Sequence, residues 1–184
     1  MEINKIQMND YKYLFLDRDG VINEERPEDY VKDISEFTFT DNALDAIGIL
    51  TKRFKHIFVV TNQRGVGRGI MNIADMLKIH DYMISEIEKT DGHITKIYTC
   101  TDIDSTSINR KPNIGMAFQA MRDYPEIDFS KSIFVGNSKS DIEFGNKLGM
   151  YTVLVGNKYD RNHKIYQEID AYYENLYKFA EKYK

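Results

Sequence analysis

The chain has 184 residues, 42% hydrophobic and 29% charged, a globular mixture that excludes disordered, collagen-like and disulfide-framework proteins. Its single cysteine, Cys100, cannot form an internal disulfide, which favours a reducing cytoplasm, and the polar start at 1–10 predicts no signal peptide. No apolar run approaches the ~20 residues of a membrane helix. The formal net charge of −4 argues against general binding to nucleic acid or anionic membranes, so we expect small-molecule or protein partners.

Short apolar segments alternate along the chain with segments of helical period. Strands are predicted at 11–16, 56–60, 94–99, 132–135 and 151–155, with an edge strand near 171–173. Helices are predicted at 41–54, after a cap at Asn72, at 113–122 and 139–148, and after a cap at Asn175, with a loop at 61–69. This alternation predicts one α/β domain over residues 1–184, a parallel sheet covered by helices on both faces. In such folds, ligands bind beyond the carboxyl ends of the strands, where the strand order reverses.

The first polar motif, Asp17-Arg18-Asp19-Gly20, directly follows the first predicted strand. A carboxylate at Asp17 can attack phosphorus, and one at Asp19 can exchange a proton with the leaving oxygen and with water. Two carboxylates also attract a hard cation such as Mg²⁺, and Gly20 permits the turn that lets both face one centre. A solvated acidic turn explains these four residues alone equally well.

The second motif, Thr61-Asn62-Gln63-Arg64, follows the second predicted strand. Hydroxyl, amide and backbone N–H groups at this place can hold phosphoryl oxygens. The alternative is an ordinary polar loop with a solvated Arg64. A Walker loop is excluded because no Gly-Lys-Ser/Thr follows.

Two further motifs are Arg110-Lys111-Pro112 and Val135-Gly136-Asn137-Ser138-Lys139-Ser140-Asp141. We expect Lys111 at a helix N-terminus, where its charge and the helix dipole add for a phosphate. Asn137 offers a carbonyl oxygen to a metal, and Asp141 offers a carboxylate that can bind it through water. A solvated lysine and a polar loop are the alternatives for each motif alone. Four such motifs in one α/β chain are much more specific than any one of them.

Together these residues resemble those of haloacid-dehalogenase (HAD) superfamily phosphatases. The resemblance is to the branch that holds D-glycero-D-manno-heptose 1,7-bisphosphate phosphatase and histidinol-phosphate phosphatase, and it runs over about 13–155. It implies a three-layer Rossmann-like HAD core with a parallel sheet and no large cap domain. The matching residues are Asp17-Arg18-Asp19-Gly20-Val21-Ile22-Asn23, Tyr30-Val31, Thr61-Asn62-Gln63, Gly65, Arg68-Gly69, Arg110-Lys111-Pro112, Gly115-Met116, Val135-Gly136 and Asp141.

The resemblance also implies roles for individual residues. Asp17 would be the nucleophile and Asp19 the general acid and base. Thr61 and Lys111 would stabilise the transferring phosphoryl group, and Arg110 would help to recognise the substrate. Mg²⁺ would be held by the Asp17 carboxylate, the Asp19 main-chain carbonyl and Asn137, with Asp141 nearby.

The chain departs from this branch at two places. Branch members typically have Asp where this chain has Asn137, so Mg²⁺ binding should be weaker and Asn137→Asp should lower the Mg²⁺ requirement. Many members also carry a zinc loop of cysteines and a histidine before Arg-Lys-Pro. Residues 101–109 contain neither cysteine nor histidine, so we predict no structural zinc. Because this loop is shortened, the resemblance does not determine the identity of the substrate.

The leading expectation is therefore a Mg²⁺-dependent phosphomonoesterase that acts on a small phosphorylated metabolite in the cytoplasm. Arg64, Arg68 and Arg110 favour a sugar bisphosphate such as D-glycero-D-manno-heptose 1,7-bisphosphate, with the second phosphate on the arginines. Histidinol phosphate is the nearest alternative, although its cationic end would be repelled. A polynucleotide 3′-phosphatase is disfavoured by the acidic net charge. A HAD-like binding or regulatory module without turnover, and transfer to an acceptor other than water, also stay open.

Overall fold

The computed structural model describes residues 10–184, which form a six-stranded parallel sheet in the order β3-β2-β1-β4-β5-β6. The strands are β1 (Tyr13–Leu16), β2 (His56–Asn62), β3 (Lys96–Cys100), β4 (Ser132–Gly136), β5 (Tyr151–Val155) and β6 (Ala171–Tyr173). The helices are α1 (Ala43–Arg53), α2 (Arg64–Gly67), α3 (Ile73–Glu88), α4 (Gly115–Asp123), α5 (Lys139–Lys147) and α6 (Leu176–Ala180). The predicted three-layer α/β fold is confirmed, and residues 10–184 contain no large cap domain.

The central strand β1 is apolar and buried along its whole length because both faces of the sheet are covered. Leu14 and Leu16 pack into a core with apolar residues of α1, α3 and α6. Phe15, between them, points to the opposite face and packs with residues of α4 and α5. This alternation fixes the direction of every side chain up to the end of β1, and so positions the residues that follow it.

The strand order reverses beside β1. Its two neighbours are β2 and β4, and β3 lies outside β2 while β5 and β6 lie outside β4. Asp17 directly follows β1 and Asn137 directly follows β4, so both lie at this switch point, where α/β sheets bind ligands.

Most element boundaries differ from the sequence-based expectation by one or two residues, and the differences near the site are the following. Strand β2 continues to Asn62, which pairs with Cys100 of β3, and the predicted 61–69 loop contains the short helix α2. Helix α4 begins at Gly115 rather than at 113, so Lys111 does not lie at its N-terminus. The reason is that the Asn113 side chain donates to the carbonyls of Ser105 and Ser107, which holds this segment in a turn.

Both predicted asparagine caps are confirmed: the Asn72 side chain accepts from the Asp75 N–H, and that of Asn175 accepts from the Lys178 N–H. None of the helices within 10–184 combines the length and apolar character needed to cross a bilayer. The prediction of no signal peptide depends mainly on residues 1–9, which lie outside the residues that the structure describes. The single-domain assignment stays a prediction.

Candidate active site

Lys111 lies between two carboxylates that follow neighbouring strands. Its Nζ is 2.9 Å from Oδ1 of Asp17 and 2.7 Å from Oδ1 of Asp141, and its side chain is 1% exposed. Burial alone would lower the pKa of Lys111, but the charges of Asp141 and Asp17 outweigh it and raise that pKa. The lysine is therefore held protonated at the centre of the site.

Asp17 is buried, and its Oδ1 also accepts a 2.8 Å hydrogen bond from the backbone N–H of Arg18. Burial and the nearby charge of Asp141 raise the pKa of Asp17 to about 7, against the opposing effect of Lys111. Two buried carboxylates thus share one ammonium group, and the excess negative charge favours a further cation at Asp17.

Asp19 is held by a second set of contacts. Gln63 Nε2 donates to Asp19 Oδ2 and to Thr61 Oγ1, both at 2.8 Å, while the amide of Asn23 donates to Asp19 Oδ1 at 3.0 Å. Burial would raise the pKa of Asp19, but the charge of Arg18 and these hydrogen bonds lower it overall. Because the Thr61 oxygen accepts from Gln63, its own proton is free to donate to a phosphoryl oxygen.

Asn62 and Gln63, which are predicted to bind substrate, make hydrogen bonds within the site. The Asn62 amide accepts from the Lys111 N–H at 3.0 Å and donates to the Lys111 carbonyl at 3.1 Å. The Gln63 amide nitrogen is committed to Asp19 and Thr61. Both side chains therefore position their neighbours, and their direct contact with substrate stays a prediction.

Asp141, which is predicted to bind a metal through water, is held by contacts to both of its oxygens. Its Oδ1 contacts Lys111, and its Oδ2 accepts from the N–H groups of Asn137 (3.1 Å) and Ser138 (3.0 Å) and from the Ser138 hydroxyl (2.7 Å). The carboxylate is fully buried in the first turn of α5, where it forms a capping box with Ser138. Asp141 therefore orients Lys111, and its contact with a metal through water stays a prediction.

The donor set that the family resemblance implies for a cation consists of oxygen atoms. They are the Asp17 carboxylate, the Asp19 main-chain carbonyl and Oδ1 of Asn137, with Asp141 acting through water, and hard oxygen ligands of this kind suit Mg²⁺. Across residues 10–184 there is no group of three His, Cys, Asp or Glu side chains able to hold a metal. The residues present therefore fit a Mg²⁺ that uses main-chain and amide oxygens besides one carboxylate.

Three arginines, Arg64, Arg68 and Arg110, lie close to one another. Burial and the charges of Arg64 and Arg68 lower the pKa of Arg110, so the three guanidinium groups are electrostatic neighbours. Arg68 Nη1 donates to the Tyr30 hydroxyl at 3.1 Å, and Arg110 Nη1 donates to the Asp102 carbonyl at 3.2 Å. A cavity of about 240 Å³ is lined by both Arg68 and Asp19, so Arg68 is the member of this cluster that shares a cavity with the reacting centre.

A family model described as polynucleotide kinase 3 phosphatase matches residues 12–179. The chain belongs to this phosphatase family. A D-glycero-α-D-manno-heptose-1,7-bisphosphate 7-phosphatase from Campylobacter jejuni is 34% identical, over 93% of this chain and 97% of its own. A second from Mycobacterium tuberculosis is 31% identical, over 91% of this chain and 88% of its own.

Solved structures agree with this family assignment. The D,D-heptose 1,7-bisphosphate phosphatase from B. bronchiseptica, complexed with magnesium and phosphate, superposes with a TM-score of 0.81 at 29% identity. The match covers 93% of this chain and 97% of that one. The predicted resemblance to HAD phosphatases of this branch is therefore confirmed, and this member of the polynucleotide kinase 3 phosphatase family is a phosphatase.

Sequence reasoning missed three residues of the family member's site. Arg18 is 1% exposed and its Nη2 contacts both Asp19 oxygens, at 2.9 and 3.1 Å. Asn23 also bonds Asp19, and Glu25 bonds the Asn137 amide. Arg18 and Asn23 lie within the quoted motif, so that motif was a usable signal. Glu25 carries no such signal, because its partner is 112 residues away in the chain.

Proposed function

We propose that this chain is a Mg²⁺-dependent phosphomonoester hydrolase that removes one phosphate from a small sugar bisphosphate. The observation that carries the proposal is the arrangement of Asp17 against Lys111, with Asp19 held beside Thr61 by Gln63. A nucleophile, a proton donor and two stabilising groups meet at the switch point of the sheet. A single buried cysteine and a phosphorylated metabolite as substrate fit an enzyme of the cytoplasm.

In the first step, a carboxylate oxygen of Asp17 attacks phosphorus and the bond to the ester oxygen breaks. Asp19 gives its proton to that leaving oxygen, and an aspartyl-phosphate is left on Asp17. In the free site, Arg18 and Gln63 favour the ionised form of Asp19. Protonation of Asp19 is favoured when the negatively charged phosphate of the substrate enters the site.

In the second step, water attacks the phosphorus of the aspartyl-phosphate. Asp19 takes the proton from that water, the bond to Asp17 breaks, and phosphate leaves. Lys111 and the Thr61 hydroxyl stabilise charge on the phosphoryl oxygens in both steps, and Asn62 fixes the Lys111 backbone for this purpose. Mg²⁺ held by Asp17, the Asp19 carbonyl and Asn137 would neutralise further charge on those oxygens.

The substrate class follows from the positive cluster and from the relatives. Arg64, Arg68 and Arg110 carry more positive charge than one transferring phosphate requires, which favours a second phosphate on the substrate. Curated relatives such as the Campylobacter jejuni protein are named for heptose 1,7-bisphosphates. We therefore favour D-glycero-D-manno-heptose 1,7-bisphosphate over histidinol phosphate, whose cationic end these arginines would repel.

Other functions have weaker support. A binding module without turnover is suggested by Asn137 alone, whereas the nucleophile, the proton donor and Lys111 are all present and in contact distance of their partners. A polynucleotide 3′-phosphatase matches the description of the family model, but the net charge of −4 disfavours general attraction to a polyanion. Product analysis separates hydrolysis from transfer to another acceptor.

The proposal is tested with a panel of phosphate esters assayed by catalytic efficiency. The panel holds heptose 1,7-bisphosphate, histidinol phosphate, a 3′-phosphorylated oligonucleotide and an aryl phosphate. We expect the bisphosphate to be preferred, and expect EDTA or Asp17→Asn to abolish release of phosphate, while Asp104→Asn on the surface leaves it unchanged. Preference for histidinol phosphate would overturn the role given to the arginines. Absence of hydrolysis across the panel with Mg²⁺ would favour the binding module.

A further inference from the structure

The side chain of Asn137 is held from outside the site by Glu25. Asn137 Nδ2 donates to Glu25 Oε2 at 2.9 Å, and the amide lies directly over Gly20. A Cβ on Gly20 would come within 1.8 Å of that same Nδ2. The amide therefore has a defined position between the turn after β1 and the loop that carries Glu25.

This contact decides which atom of the amide is available to a cation. An asparagine amide has a donor end and an acceptor end of nearly equal size, so its two orientations differ mainly in hydrogen bonding. A carboxylate only accepts, so Glu25 requires the NH₂ end of Asn137 to face it. The carbonyl end, Oδ1, is then the end left for a metal. An aspartate at this position would need no such orientation, because its two oxygens are equivalent.

Lys158 fixes Glu25 in turn. Its Nζ lies 2.8 Å from Oε1 and 3.0 Å from Oε2 of Glu25, across 133 residues of chain. Both side chains are about two-fifths exposed (39% for Glu25, 42% for Lys158), and surface pairs of this kind add little to stability. Since Lys158 also neutralises Glu25, the effect on Asn137 is one of orientation rather than of added negative charge.

We propose that Glu25 is a positioning residue that turns Oδ1 of Asn137 toward the magnesium site, and so compensates for the absence of an aspartate at 137. The inference rests on the magnesium role proposed above. It predicts that the affinity for the metal ion depends on Glu25 only while position 137 is an asparagine.

The test is direct binding of Mn²⁺, an oxygen-seeking stand-in for Mg²⁺, followed by the electron paramagnetic resonance signal of the free ion without substrate. Glu25→Ala should weaken Mn²⁺ binding about 10-fold, the lower end of what partners of metal ligands contribute. Glu24→Ala is the matched control: it removes the same charge from the neighbouring exposed residue, whose side chain has no hydrogen bond or ion pair within 10–184, and should leave binding unchanged. Thermal unfolding checks that each variant is folded.

The decisive comparison repeats Glu25→Ala in the Asn137→Asp background. We expect no weakening there, because a carboxylate presents an oxygen in either orientation. An equal loss in both backgrounds would overturn the inference, since it would mean that Glu25 acts through its charge alone. Unchanged binding in Glu25→Ala of the natural chain would overturn it as well, and leave the proposed function standing. No Mn²⁺ binding by the natural chain would overturn the metal role itself and this inference with it.

Discussion

At the scale of single residues, the polar side chains around Asp17 are committed chiefly to one another. Asn62 holds the Lys111 backbone and Gln63 links Asp19 to Thr61. Their residue types could be assigned to a phosphate site from the sequence. Their partners could not, because Asn62 and Lys111 are 49 residues apart and nothing local specifies the contact.

Asn62→Ala tests whether Asn62 acts through Lys111 or on the substrate. Loss of both hydrogen bonds frees the Lys111 backbone, and misplacement of a stabilising charge by about 1 Å can cost up to about 100-fold in rate. We expect kcat for an aryl phosphate to fall about 10- to 100-fold with little change in KM. Asn146→Ala, which removes an amide bonded to the Glu168 carbonyl outside the site, should change neither. A raised KM at unchanged kcat would instead indicate the direct substrate contact expected from the sequence.

The buried side chain of His80 on α3 makes the free energy of unfolding depend on pH. Burial and then the charge of Arg18 lower the pKa of His80 to about 4, whereas an unfolded chain protonates its histidines near pH 6.5. The unfolded state therefore binds more protons between these values. The contribution of neutral His80 to the free energy of unfolding is fully present above about pH 6.5. It is lost as the pH falls toward 4, and the loss amounts to up to about 3 kcal/mol.

His80→Leu should remove this part of the acid sensitivity. The measurement is urea unfolding at about pH 7 and about pH 4.5, comparing the change in the free energy of unfolding between variant and natural chain. His93→Leu, which removes an exposed histidine, should retain the natural dependence. If the natural chain and His80→Leu lose stability equally on acidification, His80 is not the cause.

At the scale of elements, the site is built where β1, β2 and β4 end. The apolar runs of these strands and the polar residues after them predicted this meeting point correctly. The short α2 and the start of α4 at Gly115 were not predicted from hydrophobic periodicity, because pairing of Asn62 with Cys100 and the bonds of Asn113 to Ser105 and Ser107 in the preceding loop decide them. The site is predictable where strand ends define it and unpredictable where contacts between loops do.

The turn after β1 is tested with two glycine substitutions. Gly20 has φ +81° and a Cβ there would meet Asn137 at 1.8 Å, whereas Gly149 has φ +70° and open space around its Cβ position. Both alanine variants should lose about 1–2 kcal/mol of stability from the left-handed backbone, measured by urea unfolding. Only Gly20→Ala should also raise the Mg²⁺ concentration needed for half-maximal activity. Equal activity of the two variants would contradict the close contact between Gly20 and Asn137.

At the scale of the whole molecule, the protein has a net negative charge, while positively charged side chains are grouped at and near the candidate active site. Lys111 is enclosed by carboxylates, and Arg64, Arg68 and Arg110 form the neighbouring cluster. The fold and the family were predictable from the sequence because strand periodicity and four motifs at strand ends agree. The atom of each polar side chain that contacts a given neighbour was not predictable from the sequence, because those contacts form only after the sheet has brought distant segments together.

The proposed reaction passes through an acyl phosphate on Asp17. The most direct measurement is to mix the Mg²⁺-loaded protein with a phosphate ester, quench in acid within one turnover, and locate the acyl phosphate by peptide mass spectrometry. We predict phosphate on the peptide that contains Asp17, and none in Asp17→Asn. Substrate turnover with no acyl phosphate on that peptide, or with phosphate on another residue, would contradict the account.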